Sequence, residues 1–351
     1  MTPSDMPAPA ADVPTPAPAG DGAPLAEDEQ TTSRRRKLFL LLLLSTAFAA
    51  LLGLATWYLL FRQPIVIPVI PKVEVPTYST SIYNVARPVG VAVTPDGSRI
   101  YVSQSSEARV VKVFDASGNE VATLDPGDGS LDHVPVYIAI DPITSEVYVT
   151  DRLAGAIYVY TKDNAFARKF SAPAELGAWQ PLGIAFDTAG NLYATNLAGA
   201  AATVVQFDRT GAIVRTLGAA EGMSFPNGVA VDKDGYVYVT DSNNGRLLVF
   251  GKEGTVVARV GRGADAGKLG LPRGIAVDAQ GRVFIVDTTG QGVQVDKAYA
   301  AGSQRLEFVG FVGTQGVGNG QFSFPNGVAV DARGRIYVSD SSNDRVQVWS
   351  Y

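Results

Sequence analysis

The sequence predicts an all-β fold, a six-bladed β-propeller, preceded by one transmembrane α-helix and a disordered N-terminal tail. Three observations carry this expectation. A proline-led unit recurs six times at a spacing in the forties. The apolar runs inside each unit are short and rich in β-branched residues, as strands are. One uncharged span, residues 38–61, stands near the N-terminus. The expected layout is a cytoplasmic tail over 1–37, a transmembrane helix over 38–61, a proline-rich linker over 62–76 and the propeller over 77–351.

The tail comes first. Residues 1–33 are rich in Pro, Ala, Asp and Glu, too poor in apolar bulk to offset the entropy of ordering. Arg34, Arg35, Arg36 and Lys37 follow, then LFLLLLLSTAFAALLGLATWYLLF with neither charge nor proline. At 1.5 Å per residue this span reaches about 36 Å, enough to cross a hydrocarbon core of about 30 Å with some tilt. A cleaved signal peptide fits poorly, because the leader and the apolar core are too long and no A-x-A site follows. Four cations before the span and Arg62 alone soon after it place the N-terminus in the cytoplasm. Trp57 and Tyr58 fall at the far end, where amphipathic rings settle at the interface. Four prolines in RQPIVIPVIPKVEVP make 62–76 an extended spacer.

The repeat decides the rest. Its copies begin PVGVAVTPDGSRIYVSQ, PVYIAIDPITSEVYVTD, PLGIAFDTAGNLYATN, PNGVAVDKDGYVYVTD, PRGIAVDAQGRVFIVD and PNGVAVDARGRIYVSD. Their prolines, 88, 135, 181, 226, 272 and 325, lie 47, 46, 45, 46 and 53 residues apart. Strand-only units of that period are propeller blades. GVAV is a first strand covered on both faces. D-x-x-G is a tight turn, with Asp capping and Gly taking the backbone angles others avoid. YVYV returns as a second strand, LLVF is a third and TVVARV a fourth. The last copy stops after its third strand, at VQVWSY. Thr77 to Val85, TYSTSIYNV, stands where a fourth strand precedes each later proline, so it is expected to close the sixth blade and leave no open edge.

These residues resemble the NHL-repeat family, most closely in FPNGVAVDKDGYVYVTDSNNGRLLVF and FPNGVAVDARGRIYVSDSSNDRVQVW. The resemblance covers about three quarters of the chain. Copies two and three depart most: Tyr137 replaces the glycine of P-x-G, and LAGAAA replaces an asparagine-rich loop. The resemblance implies a six-bladed propeller whose P-x-G loops lie around one mouth of a central channel. Related propellers include metal-dependent lyases and lactonases with several metal ligands around the channel, and the extracellular halves of bacterial receptor kinases.

Composition narrows the chemistry. A net charge of −5 with a single short basic run excludes a phosphate-tracking surface, so no nucleic acid partner is expected. With no cysteine there is no thiolate site, and a lone His133 excludes an imidazole-built metal centre. No cofactor and no metal site is expected, and no nucleophile–base pair at a recognised spacing is visible. His133, in a loop, reads as exposed. Two polar columns recur: Thr94, Asp141, Asp187, Asp232, Asp278 and Asp331 after the first strand, and Gln104, Asp151, Asn196, Asp241, Asp287 and Asp340 ending the second. Both read as turn-holding groups, with an intra-blade pair available to Arg109, Arg246 and Arg345, five residues after the second column. The x of P-x-G varies as Val89, Val136, Leu182, Asn227, Arg273 and Asn326. Variation at one position of a regular repeat is what a recognition surface shows, so Asn227, Arg273 and Asn326 are the candidate ligand-binding residues. The expected function is a membrane-anchored, extracytoplasmic binding or scaffolding module. Its partners are a protein or peptide outside the membrane, and the bilayer through residues 38–61. The alternative is a metal-dependent hydrolase or lyase with a carboxylate-built site.

Overall fold

A computed structural model of the chain describes residues 26–61, 75–129, 132–263 and 265–351. The chain divides into two units, Met1–Pro71 and Lys72–Tyr351. In the first, one helix runs Ala26–Phe61. Its stretch Thr32–Leu60 is long and apolar enough to cross a membrane. Leucines are exposed on every side of it, the pattern of a helix suited to apolar surroundings. The hydroxyls of Ser45, Thr46 and Thr56 donate to carbonyls one turn back, which hides them without a neighbour. The helix corrects one boundary. The tail was expected to be disordered to residue 37, whereas helix begins at Ala26. No proline occurs between Leu25 and Phe61, and a helix once nucleated by the apolar span propagates until something stops it. The remaining tail, 1–25, and spacer residues 62–74 lie outside the described residues.

The second unit is a six-bladed propeller. Its six four-stranded antiparallel sheets span 88–124, 135–170, 181–217, 226–260 and 272–312, with the sixth made of Pro325–Val330, Ile336–Asp340, Arg345–Ser350 and the N-terminal strand Thr77–Ile82. That last strand pairs with Arg345–Ser350, Thr77 opposite Ser350 and Ile82 opposite Val346, so the chain ends close the ring as the sequence predicts. Buried apolar side chains fall into six clusters, one at each blade interface. This explains why GVAV-type runs are apolar at successive positions: one face packs on each neighbour.

The P-x-G signature has two physical reasons. Proline donates no hydrogen bond and opens each inner strand at a register irregularity, a place where the ladder tolerates it. The glycine lets adjacent inner strands approach. A Cβ on Gly183 or Gly327 would stand 2.3 Å from the carbonyl of Asn227 or 2.4 Å from that of Val89, closer than any side chain allows. A hydroxyl column that sequence reading missed locks this contact. Ser103 and Thr240 donate to the next blade's Val136 and Arg273 carbonyls, while Gly90 and Gly228 donate to the same hydroxyls.

Candidate functional site

The first polar column caps turns, as expected. Asp141, Asp187, Asp232, Asp278 and Asp331 each accept backbone N–H bonds two to four residues on, and the Thr94 hydroxyl accepts the Arg99 amide. The second column reaches back to the loop that opens its own blade. Gln104, Asp151, Asn196, Asp241, Asp287 and Asp340 accept the amides of Ala86, Val134, Gln180, Ser224, Leu271 and Ser323. Of three possible intra-blade pairs, two form: Arg246–Asp241 at 2.7 Å and Arg345–Asp340 at 2.8 Å. Arg109 has no such pair, because its blade carries the neutral Gln104, whose amide bonds the Ala108 carbonyl.

His133 corrects a second expectation. It is buried, at 6% exposure, with Nδ1 2.8 Å from Asp151 Oδ2 and Nε2 3.0 Å from Asp128 Oδ1. The reason lies in the repeat. The position facing Asp241 and Asp340 is Arg246 and Arg345, but the position facing Asp151 is Ala156. Asp151 takes its cation from the preceding loop instead. A carboxylate accepts and does not donate, so the imidazole donates from both nitrogens and is cationic. Burial pulls its pKa down, but hydrogen bonds and charge from Asp151 and Asp128 outweigh that and raise it above 6.5. Tyr158 stands edge-on at 5.3 Å and donates to Asp128. A cavity of about 350 Å³ adjoins this cluster, between the first and second blades, with Val111, Leu124, Val149 and Tyr160 in its wall. Both imidazole nitrogens are spent, so His133 is a structural cation here.

Among the described residues no group of three or more His, Asp or Glu side chains is placed to hold a metal ion. One buried carboxylate stands apart. Asp296, 1% exposed, occupies a third-strand position filled elsewhere by Phe114, Tyr160, Phe207, Phe250 and Trp349. Among the described residues its oxygens accept only from Gln294 Nε2, and burial drives its pKa up to about 7.

The three predicted site residues sit at the second position of the inner strands of blades four, five and six. Asn227 and Asn326 are buried at 4% and 9% exposure, and Arg273 is half-buried. The structure joins the two asparagines through a residue the sequence flags as irregular. Tyr137, in the glycine position of blade two, has no room against the next inner strand. Its hydroxyl lies 2.8 Å from Asn227 Oδ1 and 3.1 Å from Asn326 Oδ1. Three blades thereby meet across the channel. Burial raises the phenol's pKa, with Arg273 pulling the other way, so the hydroxyl keeps its proton and donates. Towards the other end the inner strands of all six blades line a cavity of about 590 Å³, with Val91, Ile138, Ile184, Val229, Ile275 and Val328 in its wall.

Closed ring, blade count and repeat make the chain a six-bladed β-propeller. It contains NHL repeats: that family's description matches residues 223–250 and 322–349, the fourth and sixth copies. A search of curated proteins finds no match. Among solved structures, the chain is similar to a streptogramin B lyase at 15% identity, with a TM-score of 0.55 over 78% of this chain and 98% of that one. It is also similar to virginiamycin B lyase from Staphylococcus aureus at 15% identity, TM-score 0.52, over 76% and 95%, and to Kuenenia stuttgartiensis hydrazine synthase at 16% identity, TM-score 0.55, over 80% and 99%. Likeness at this level shows the fold alone.

Proposed function

We propose that this protein is a membrane-anchored propeller, presented outside the cytoplasm, that binds a protein or peptide partner and catalyses no reaction. The observation that carries the reading is the polar set Asn227, Arg273 and Asn326 in a ring otherwise made of Val89, Val136 and Leu182. A few fixed polar groups in apolar surroundings suit recognition. Tyr137 holds two of them in place, and preorganised groups bind with less entropy lost.

The anchoring half of the proposal draws on the uncharged span, the four cations before it and the interfacial Trp57 and Tyr58. Against the hydrolase or lyase alternative stand the carboxylates themselves. Those of the two columns are spent on turn amides and arginines, and the one imidazole is held by two aspartates on both sides. Substituting Asn227, Arg273 and Asn326 together by alanine tests the reading. Partner capture from crosslinked membranes is expected to fall at least tenfold while the ectodomain stays folded, its melting temperature lower only by the few degrees that the orphaned Tyr137 hydroxyl costs. Unchanged capture removes this mouth as the binding surface.

A further inference from the structure

The polar ring has an unbalanced inventory. Arg273 has its Nε buried without a hydrogen-bond partner, and no carboxylate among the described residues pairs with its guanidinium. A buried guanidinium nitrogen left unbonded is rare, because desolvation of a charged donor is costly. The acids that end the second strands of blades four, five and six are engaged elsewhere. Asp241 and Asp340 hold Arg246 and Arg345. Asp287, opposite Pro272 in the ladder, accepts from Gly270, Leu271, Thr289 and Gly290.

The two asparagines are unbalanced in the same direction. Each side-chain amide offers one acceptor oxygen and two N–H donors. Tyr137 turns its one proton towards both oxygens, and neither amide nitrogen donates to a protein atom among the described residues. Val89, Val136 and Leu182 add no polar group. The ring therefore presents amide N–H donors and one positive charge, with its two amide oxygens turned towards the Tyr137 hydroxyl.

We infer that this end of the channel is a carboxylate site, in which Arg273 forks the two oxygens and the Asn227 and Asn326 amides donate from either side. One guanidinium with neutral donors matches a planar, singly charged group better than a phosphate dianion. Tyr137 is a positioning residue: by turning both amide oxygens to the axis it commits the N–H groups to the ligand. The inference rests on the reading that this mouth binds, and it names what is bound: a free carboxylate, from a small acid or from the C-terminus of a peptide.

The test uses the full-length protein in detergent. Acetate, benzoate, inorganic phosphate and a short apolar peptide with a free or amidated C-terminus are titrated by calorimetry. Saturable binding of the carboxylates, weaker binding of phosphate and loss of binding on amidation are expected. If benzoate binds and the peptide does not, the source is a small acid; preference for the free peptide assigns a C-terminus. Arg273→Gln is expected to weaken binding by about a hundredfold, the scale of a charge-assisted pair, and Arg273→Lys by less, because the point charge remains. Tyr137→Phe frees the amides to rotate and is expected to cost about tenfold, with the thermal midpoint compared so that loss of fold is recognised. Absence of saturable binding by every carboxylate, or binding indifferent to Arg273→Gln, overturns the inference. The binding reading survives that result if partner capture still depends on the same three residues and is not competed by benzoate.

Discussion

Replacing Asp296 by asparagine is expected to remove a loss of stability that the parent protein suffers as pH rises from about 4 to about 7. The carboxyl is buried at a position that the other blades give to aromatic rings, with no paired cation and a single amide donor among the described residues. Its pKa in the folded chain is about 7, against 3.8 for an ordinary aspartate. A carboxyl moved that far favours its protonated form by about 4 kcal/mol at about 1.4 kcal/mol per pKa unit. The folded pKa is raised, so the folded state holds the extra proton. The stabilisation is complete below pH 3.8, declines as pH rises and is gone once pH passes 7. Asp296→Asn has no proton to lose and keeps the Gln294 contact. Measured from the acid limit, the stability gap between variant and parent should grow from about 1 kcal/mol at pH 4.5 to about 4 kcal/mol at pH 8.5, the latter about 8–16 °C in melting temperature for a domain of this size. Thermal unfolding of the full chain across that range measures it. Parallel curves for parent and variant would show that Asp296 does not titrate as its burial implies.

Other expectations follow from the repeat. A chain beginning at Arg87 lacks the strand Thr77–Ile82 and exposes the edge of Arg345–Ser350, so it should aggregate and melt well below one beginning at Thr77; equal behaviour sinks the clasp. His133 has a raised pKa, so its contribution is present below 6.5 and is lost as pH climbs through the folded value. Because it is the sole histidine, its proton resonance reports that value directly. A His133→Leu/Ala156→Arg variant gives Asp151 the cation used by Asp241 and Asp340, and should recover stability that His133→Leu alone loses; no recovery would refute the equivalence. Protease added outside intact cells should degrade the propeller and spare the tail, and protection of the propeller would reverse the proposed orientation.

Blade number, strand order and the closing strand were legible because each rests on spacing. Proline period, turn aspartates and a missing fourth strand are local marks that survive without coordinates. Column aspartates read correctly for the same reason, since a D-x-x-G turn is satisfied within itself. What failed depended on neighbours in space. His133 looks like a loop residue until Ala156 is noticed where the fourth and sixth copies carry arginine, and that gap was the available signal. Asp296 likewise breaks a column of five aromatic residues, visible only once third strands are aligned. Tyr137 was seen as a departure from P-x-G, but its reach to Asn227 and Asn326, 90 and 189 residues away in sequence, follows from ring closure and no local pattern carries it. The helix start at Ala26 was missed because composition describes an average, whereas helix propagation depends on where the last proline falls.

The central claim is that recognition happens at the end of the channel held by Asn227, Arg273 and Asn326, and crosslinking at its two ends tests that most directly. A photoreactive residue placed at Val89, a half-buried member of the same ring that leaves Asn227, Arg273 and Asn326 intact, and separately at Thr188 on the wall of the opposite cavity, would be activated in intact membranes. Adducts to a partner from position 89 and none from position 188 are predicted. Adducts from position 188 alone would contradict the account.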